Sequence, residues 1–325
     1  MSFFSIVVPA FNAIAFVEET VRSLLNQTFK DYEIIAVDDG STDNTKHILN
    51  KFAEKIHILT QPHQGSEIAR NLGIQNAQGE YIVSFDADDI LFPHALNVYH
   101  EIIKYFQNPP LILSKMQYFI NKEEIVYDCW DESSIECIEF QDFLKKNIPI
   151  GTSNSKIIAR KDSVLKVGGY QIDIFGEDDR ALLFRLGIES PMIIIQYPIT
   201  VGYRIHSKNY SNDIELITGG ALKLITSERR NAYPGGKKRR MDRRGLIGSN
   251  VLSYMYRKIL IAKNYSLKIR VTLIVKLMLH SRMMLILGMV RKIRSLFYES
   301  KRHVIEISKK GKSIKAQETR ISNRV

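Results

Sequence analysis

The nine residues Tyr81–Asp89, YIVSFDADD, constrain the fold more than any other stretch of this chain. A short apolar run, Tyr81, Ile82, Val83 and Phe85, ends abruptly in Asp86, Asp88 and Asp89. Such a run, free of Gly and Pro, reads as a strand buried on both faces. Acids at its carboxyl end stand where open α/β sheets hold their ligands. Two carboxylates in a D-x-D arrangement make a hard-oxygen site suited to Mg²⁺ or Mn²⁺, with substrate phosphates completing the shell. Taken alone, the same residues also describe a solvated acidic turn ahead of a helix starting near Pro93. Context has to decide.

That context is a strand–helix alternation. Ser5–Pro9 is a β-rich run stopped by Pro, and Phe16–Gln27 carries apolar residues at helical spacing (Val17, Val21, Leu24, Leu25). Tyr32–Val37 is a second buried strand, ending in Asp38 and Asp39. Ser41 or Thr42 is placed to cap the next helix, with Ile48, Leu49 and Phe52 on its inner face. Ile56–Thr60 is a third strand and Gly65–Ala77 a helix, before the Tyr81 strand. The pattern predicts an α/β fold, a Rossmann-like, mostly parallel sheet flanked by helices. Two strands ending in Asp pairs then face one crevice.

Four segments in this order and spacing, SIVVPAFNA, EIIAVDDGSTDNT, QGSEIARNLGI and YIVSFDADDIL, resemble the nucleotide-sugar domain of the family 2 inverting glycosyltransferases, which have the GT-A type fold. The likeness is close over residues 1–90 and looser to about residue 211. It implies that Pro9 and Phe11, at the end of the first strand, meet the nucleotide, with the Phe11 ring packed on the uracil. It implies that Asp39, beside Asp38, accepts a hydrogen bond from the base, a role open to an acceptor-only carboxylate. Arg70 is directed at the nucleotide, where a guanidinium fork suits phosphate or ribose oxygens. Asp86 lies near the ribose or sugar, and Asp88 binds a metal, Mn²⁺ or Mg²⁺, that bridges the two phosphates. Each of these residues has a plainer reading: Phe11 as a loop plug, Asp39 as a helix-capping acid, Arg70 as a surface ion pair.

In the second half, Ala95–Phe106 reads as a helix, and Leu111–Phe119, Ile125–Tyr127 and Lys156–Ala159 as strands. Trp130 reads as a half-buried packing residue sooner than as an acceptor platform, and Ile150–Ser155 as a polar turn. Phe175-Gly176-Glu177-Asp178-Asp179 leads into a helix over Arg180–Leu186 and resembles the family's acidic "ED". The resemblance makes Asp179 or Asp178 the general base. Asp179 is favoured by Arg185 six residues on, Asp178 by a literal match. An inverting transfer needs such a carboxylate to take the acceptor hydroxyl's proton. A plain N-terminal helix cap is the alternative. Tyr203-Arg204-Ile205-His206, with Asn209 and Ser211, resembles a segment that closes over the donor and makes His206 a candidate third metal ligand.

The net charge of +11 hides a division. From Ala221 onward the chain has 27 Lys and Arg against 5 Asp and Glu, while the first 220 residues hold 19 basic and 30 acidic residues. The reading is a catalytic domain over 1–220 (a nucleotide-sugar half 1–90, an acceptor half 91–220) and a basic helical tail over 221–325. Lys237–Arg244 reads as a flexible basic run, and Leu267–Val290 as an amphipathic helix. Its longest uncharged run, Met283–Val290, falls short of the ~20 residues a membrane span needs. A wide apolar face with basic flanks fits peripheral contact with an anionic bilayer through 237–294; packing on the catalytic domain or a partner is the alternative. Glu299–Val325 shows no apolar period and reads as frayed.

Two cysteines, Cys129 and Cys137, and no positive n-region before Pro9 fit a cytoplasmic protein, here at the inner face of the membrane. The expected function is transfer of a sugar from a nucleoside-diphosphate donor, UDP by resemblance, to a lipid-linked or polysaccharide acceptor in cell-surface glycan synthesis. No Q/R-x-x-R-W segment is present, so one sugar per encounter is expected. A sugar-phosphate nucleotidyltransferase wants a Gly-rich, basic loop after the first strand, which Pro9–Asn12 does not supply. A non-catalytic binder of nucleic acid or membrane leaves the strand-end acids unexplained, since they repel phosphate; no nucleic-acid partner is expected.

Overall fold

A computed structural model describes residues 2–126, 130, 134–142, 144, 153–261, 264–295, 299–307 and 314–322. The chain opens with β1 (Phe4–Ala10), α1 (Val17–Leu25), β2 (Tyr32–Asp38), α2 (Thr45–Asn50), β3 (His57–Thr60), α3 (Ser66–Asn76), β4 (Tyr81–Ser84) and β5 (Ile90–Leu91). Next come α4 (Ala95–Tyr105), β6 (Leu111–Leu113), β7 (Met116–Phe119), β8 (Ser134–Phe140), β9 (Ile157–Arg160), α5 (Lys161–Lys166) and α6 (Asp178–Leu186). The last elements are β10 (Met192–Tyr197), β11 (Val201–Arg204), α7 (Ile214–Arg229), α8 (Arg240–Tyr254), α9 (Leu267–Ser295), β12 (Glu299–Ile307) and β13 (Ile314–Ser322).

The main sheet has the order β13-β12-β8-β10-β6-β9-β4-β1-β2-β3, and β5-β11-β7 form a small second sheet. The α/β class holds. The half expected to bind the nucleotide is parallel, with β1 paired to both β2 and β4 and β2 to β3. Beyond it the sheet is mixed, because β9 runs antiparallel to both β4 and β6. Each face carries its own apolar core, and each fully buried Val, Ile or Leu contributes about 1.5–3 kcal/mol. On one face α3 approaches so closely that a Cβ on Gly73 would come within 2.4 Å of Val7 Cγ1. Only hydrogen fits there.

Pro9 does not stop the first strand, which continues to Ala10. The pairing to β4 ends at Val7 with Ser84, so the missing N–H of Pro9 breaks no bond on that side. Neither Ser41 nor Thr42 caps α2: the cap residue is Asn44, and Asp43 receives the Thr45 N–H at 2.9 Å. The single strand expected over Leu111–Phe119 is two, β6 and β7, which enter different sheets. Ile125 and Val126 form no strand, and Tyr127, like Cys129, lies outside the described residues. Trp130 is buried, and its indole N–H donates to the Ser134 carbonyl (2.9 Å), as a packing residue does.

The basic tail departs most from expectation. No boundary falls at residue 220, because α7 runs unbroken from Ile214 to Arg229 and joins the main core through Ala221, Leu224 and Ile225. Lys237–Arg244 is not a flexible run: Lys237–Arg239 forms a 3-10 turn and the rest begins α8. Arg243 and Glu228 pair at 2.6 Å with both side chains 0% exposed, and the guanidinium also reaches the Pro234 and Gly236 carbonyls. Such a charge is tolerated only when its donors are satisfied. Residues expected to fray, Glu299–Ile307 and Ile314–Ser322, form a hairpin that extends the sheet through β8. The expectation that no segment could span a membrane is also corrected: Leu267–Arg291 is long and apolar enough by length and composition. The helix passes through an isolated charge such as Lys276 and, with a local kink at Arg282 (φ 23°), continues to Ser295, so an uninterrupted uncharged run is too strict a criterion.

Candidate active site

The carboxyl ends of β2 and β4, the N-terminus of α3 and the start of α6 converge on one crevice. Arg70, on α3, is the connector. Its guanidinium is fully buried and pairs with Asp86, past the end of β4, and with Asp178 Oδ2 at 3.3 Å, at the first turn of α6. It also lies over the Tyr170 ring, 5.4 Å from the centroid. Asn154 Nδ2 donates to the same Asp178 oxygen at 2.9 Å. Tyr210 is exposed and lies within electrostatic reach of Glu67, Asp39, Arg70 and Asp178. Residues far apart in the sequence thus share one charged neighbourhood.

Negative charge exceeds positive here, and burial makes it costly. Burial raises the Asp86 carboxyl to about 6 against the opposing pull of Arg70, with Asp88 and Asp178 pushing the same way as burial. Asp89 is pushed well above the ordinary carboxylate value by burial and then by Asp88 and Asp86. It is a structural acid: Ser155 Oγ donates to Oδ2 at 2.6 Å and the Arg204 N–H to Oδ1 at 2.9 Å. Glu67 is raised by burial and by Asp178, and its Oε1 is buried without a partner. Glu177, which caps α6 and pairs with Arg180, is pushed up to about 7 by burial.

Asp88, a charged neighbour of Asp86 and Asp89, meets His206, whose Nε2 stands 2.8 Å from Asp88 Oδ2. His206 is stacked on Phe16 (centroids 4.6 Å), and its Nδ1 is buried without a partner. Arg204 lies between Phe16 and Phe119 and donates through Nε to the Asp88 carbonyl at 2.9 Å. Among the described residues no group of three or more His, Cys, Asp or Glu is arranged as a metal cage. The Asp88–His206 pair, partly open to solvent, could give a divalent cation two ligands, and phosphate oxygens and water would have to supply the rest. Mg²⁺ and Mn²⁺ are commonly held this way.

The end of the crevice expected to take a base is already occupied by side chains. Asp39 is buried and accepts from Gln61 Nε2 (2.6 Å) and the N–H groups of Gln64 and Gly65 (both 2.9 Å). His63 Nδ1 stands 2.9 Å from its Oδ2. Phe11 is partly exposed and stacks on the His63 ring at 3.8 Å. A base that uses both Phe11 and Asp39 therefore has to move His63, an exposed side chain. Asp38 receives the Ser41 N–H at 3.3 Å, and Pro9 is buried inside β1; neither points to a ligand role by its contacts. Arg185 donates to the Gly169 carbonyl at 2.7 Å, so it lends Asp179 no support. Asp179 receives the Arg180 N–H at 2.6 Å and is buried in the first turn of α6.

Sequence reasoning missed Asn154, Ser155, Tyr170 and Glu67. The first two lie in a polar turn without periodicity, where nothing in the sequence says what they face. Glu67 had a signal: it precedes Arg70 by three residues, hence on the same face of α3.

Residues 5–164 match the family described as Glycosyl transferase family 2. A cholesterol galactosyltransferase of Borreliella burgdorferi is 30% identical over 189 residues, 54% of this chain and 52% of that one. A putative teichuronic acid biosynthesis glycosyltransferase, TuaG, of Bacillus subtilis is 39% identical over 89 residues, 26% of this chain and 35% of that one. An uncharacterized glycosyltransferase of Haemophilus influenzae is 38% identical over 95 residues, 28% of this chain and 38% of its own length. The chain thus spans about half or less of these relatives. Among solved structures, S. aureus TarS in complex with UDP-GlcNAc superposes with a TM-score of 0.61 at 16% identity, covering 80% of this chain and 74% of TarS. The mannosyltransferase PcManGT of Pyrobaculum calidifontis, in complex with GDP-Man and Mn²⁺, gives 0.52 at 15% identity, covering 90% and 87%. At these identities the likeness is one of fold.

Proposed function

Residues 5–164 are a family 2 glycosyltransferase domain, and from that premise we propose that the chain is an inverting, metal-dependent sugar transferase. Its donor is a nucleoside-diphosphate sugar, UDP-linked, and its acceptor a lipid-linked glycan or polysaccharide in cell-surface glycan synthesis. The observation that carries the reading is the Arg70 bridge between Asp86 and Asp178, beside the Asp88–His206 pair. It joins the end of a parallel strand to the start of a helix 92 residues later, where donor and acceptor must meet. The relatives named for galactosyl transfer to cholesterol and for teichuronic acid synthesis support a lipid or a glycan as acceptor.

Phe11 and Asp39 take the base once His63 swings aside, and Asp86 faces the ribose or sugar. Asp88 and His206 would hold the divalent cation, which would supply Lewis-acid stabilisation of the departing diphosphate. Arg70 keeps Asp86 and Asp178 in place, so the donor enters a preorganised site. Asp178 Oδ2 is held by both Arg70 and Asn154, so we give Asp178 the positioning role and assign the acceptor hydroxyl's proton to Asp179. The hydroxyl oxygen then attacks the anomeric carbon from the face opposite the leaving diphosphate.

The test is release of UDP from UDP-sugars by purified protein with Mn²⁺. Asp179→Asn is expected to abolish transfer while retaining donor binding, and Asp178→Asn to weaken both. Full transfer by Asp179→Asn sinks the base assignment.

A further inference from the structure

Helix α9 carries a feature the transfer reaction does not use. One side of it is fixed to the body of the protein: Leu277, Ser281 and Met284 are buried. Gly288 meets Gly248 of α8 backbone to backbone, such that a Cβ on Gly248 would lie 1.6 Å from the Met284 carbonyl oxygen. Arg291 anchors the end through the Leu144 and Asp242 carbonyls. The other side is open and apolar. Val271, Val275, Leu279, Met283, Ile286 and Met289 are each about half exposed, from 47% at Val275 to 60% at Met283. A soluble monomer seldom leaves a contiguous apolar strip of this size facing water.

Charge selects what covers it. Between Lys237 and Arg294 the chain has 16 Lys and Arg and one acid, Asp242. Lys268, Lys276 and Arg282 are exposed on α9 itself, among the apolar side chains. A second copy of the chain would set like charge against like. An anionic bilayer accepts both features at once, acyl chains for the apolar strip and headgroups for the cations.

We propose that α9 lies in the plane of an anionic membrane surface, its open strip sunk to the headgroup–acyl boundary and its opposite side held by α8. Although α9 is long enough to span, it does not cross, because from Leu277 to Arg291 that side is packed on α8 and the catalytic body, and the ten residues ahead of it are too few to span. The docked helix holds the crevice near a surface where a lipid-linked acceptor resides. The docking stands independently of the donor or the base.

The experiment is flotation of the full chain with vesicles of phosphatidylcholine, with and without phosphatidylglycerol. Binding is expected only with the anionic lipid and is lost in high salt. Val275→Glu with Leu279→Glu should weaken it by at least about a hundredfold. Lys268→Gln and Lys276→Gln should each weaken it about fivefold. Leu279→Trp, which keeps the strip apolar, should add emission that brominated lipid quenches beyond the signal of Trp130 alone. UDP release from the donor in solution is the control for folding and should be unchanged in all four variants. Equal binding to neutral vesicles, unimpaired binding by the double Glu variant, an unquenched Leu279→Trp, or a lipid-free dimer closed through α9 would each overturn the proposal.

Discussion

Neutralising Asp86 should make the ligand-free protein more stable, and the size of the gain follows from its surroundings. Its carboxyl is raised from the ordinary 3.8 to about 6, so the folded chain holds a proton over a range where the unfolded chain has lost it. Stability therefore falls as pH climbs from about 4 to about 6, and above that the full cost is present. A displacement of this size is worth about 3 kcal/mol. Asn has the shape of the protonated acid, and Arg70 keeps Asp178 as a partner, so Asp86→Asn removes the cost without stranding the guanidinium. With an unfolding entropy of about 2.1 cal/mol/K per residue, a 325-residue chain gains roughly 1.5 °C per kcal/mol. Asp86→Asn should thus raise Tm by about 4 °C at pH 8 and by almost nothing at pH 4, measured calorimetrically with chelator present. The same variant should lose sugar transfer, as expected where stability is sacrificed at a working site. A lower Tm at pH 8, or the same gain at both pH values, would refute the reasoning.

The tail should behave as part of the same cooperative unit. Arg243→Met removes the close partner of the buried Glu228 and leaves it Arg244 Nε at 3.9 Å, at a cost of up to about 3–5 kcal/mol, whereas adding Glu228→Gln should restore most of it; chemical denaturation of the two variants checks this. Gly248→Val sets a side chain where α9 backbone already lies, so it should cost at least about 3 kcal/mol and lower a single unfolding transition. A separate, unaffected transition for the catalytic half would contradict the shared core.

The parallel half was legible because each strand there is buried on both faces and each helix on one, so apolar runs and helical spacing alternate visibly in the sequence. The acids that end those strands were legible for the same reason. What brings Asp178 to Asp86 was not: Asn154 and Ser155 act from a turn with no period, and Arg70 could be named but not its two partners. The tail misled because charge was read as solvation. Arg243 is basic and fully buried, and Glu228, fifteen residues earlier on another helix, together with the Pro234 and Gly236 carbonyls, makes that possible. The terminal hairpin was missed because β12 gains its place from the exposed edge of β8, and a strand completed by a distant edge needs little apolar pattern of its own.

Whether one crevice holds a diphosphate together with its cation is tested most directly by thermal shift with UDP, with and without Mn²⁺, in the wild-type chain and in Asp88→Asn. At a UDP concentration about 100 times its Kd, bound nucleotide adds about 2.7 kcal/mol, or close to 4 °C. That gain should require Mn²⁺ and vanish in Asp88→Asn. An equal shift in chelator, or an undiminished one in Asp88→Asn with Mn²⁺, would contradict it.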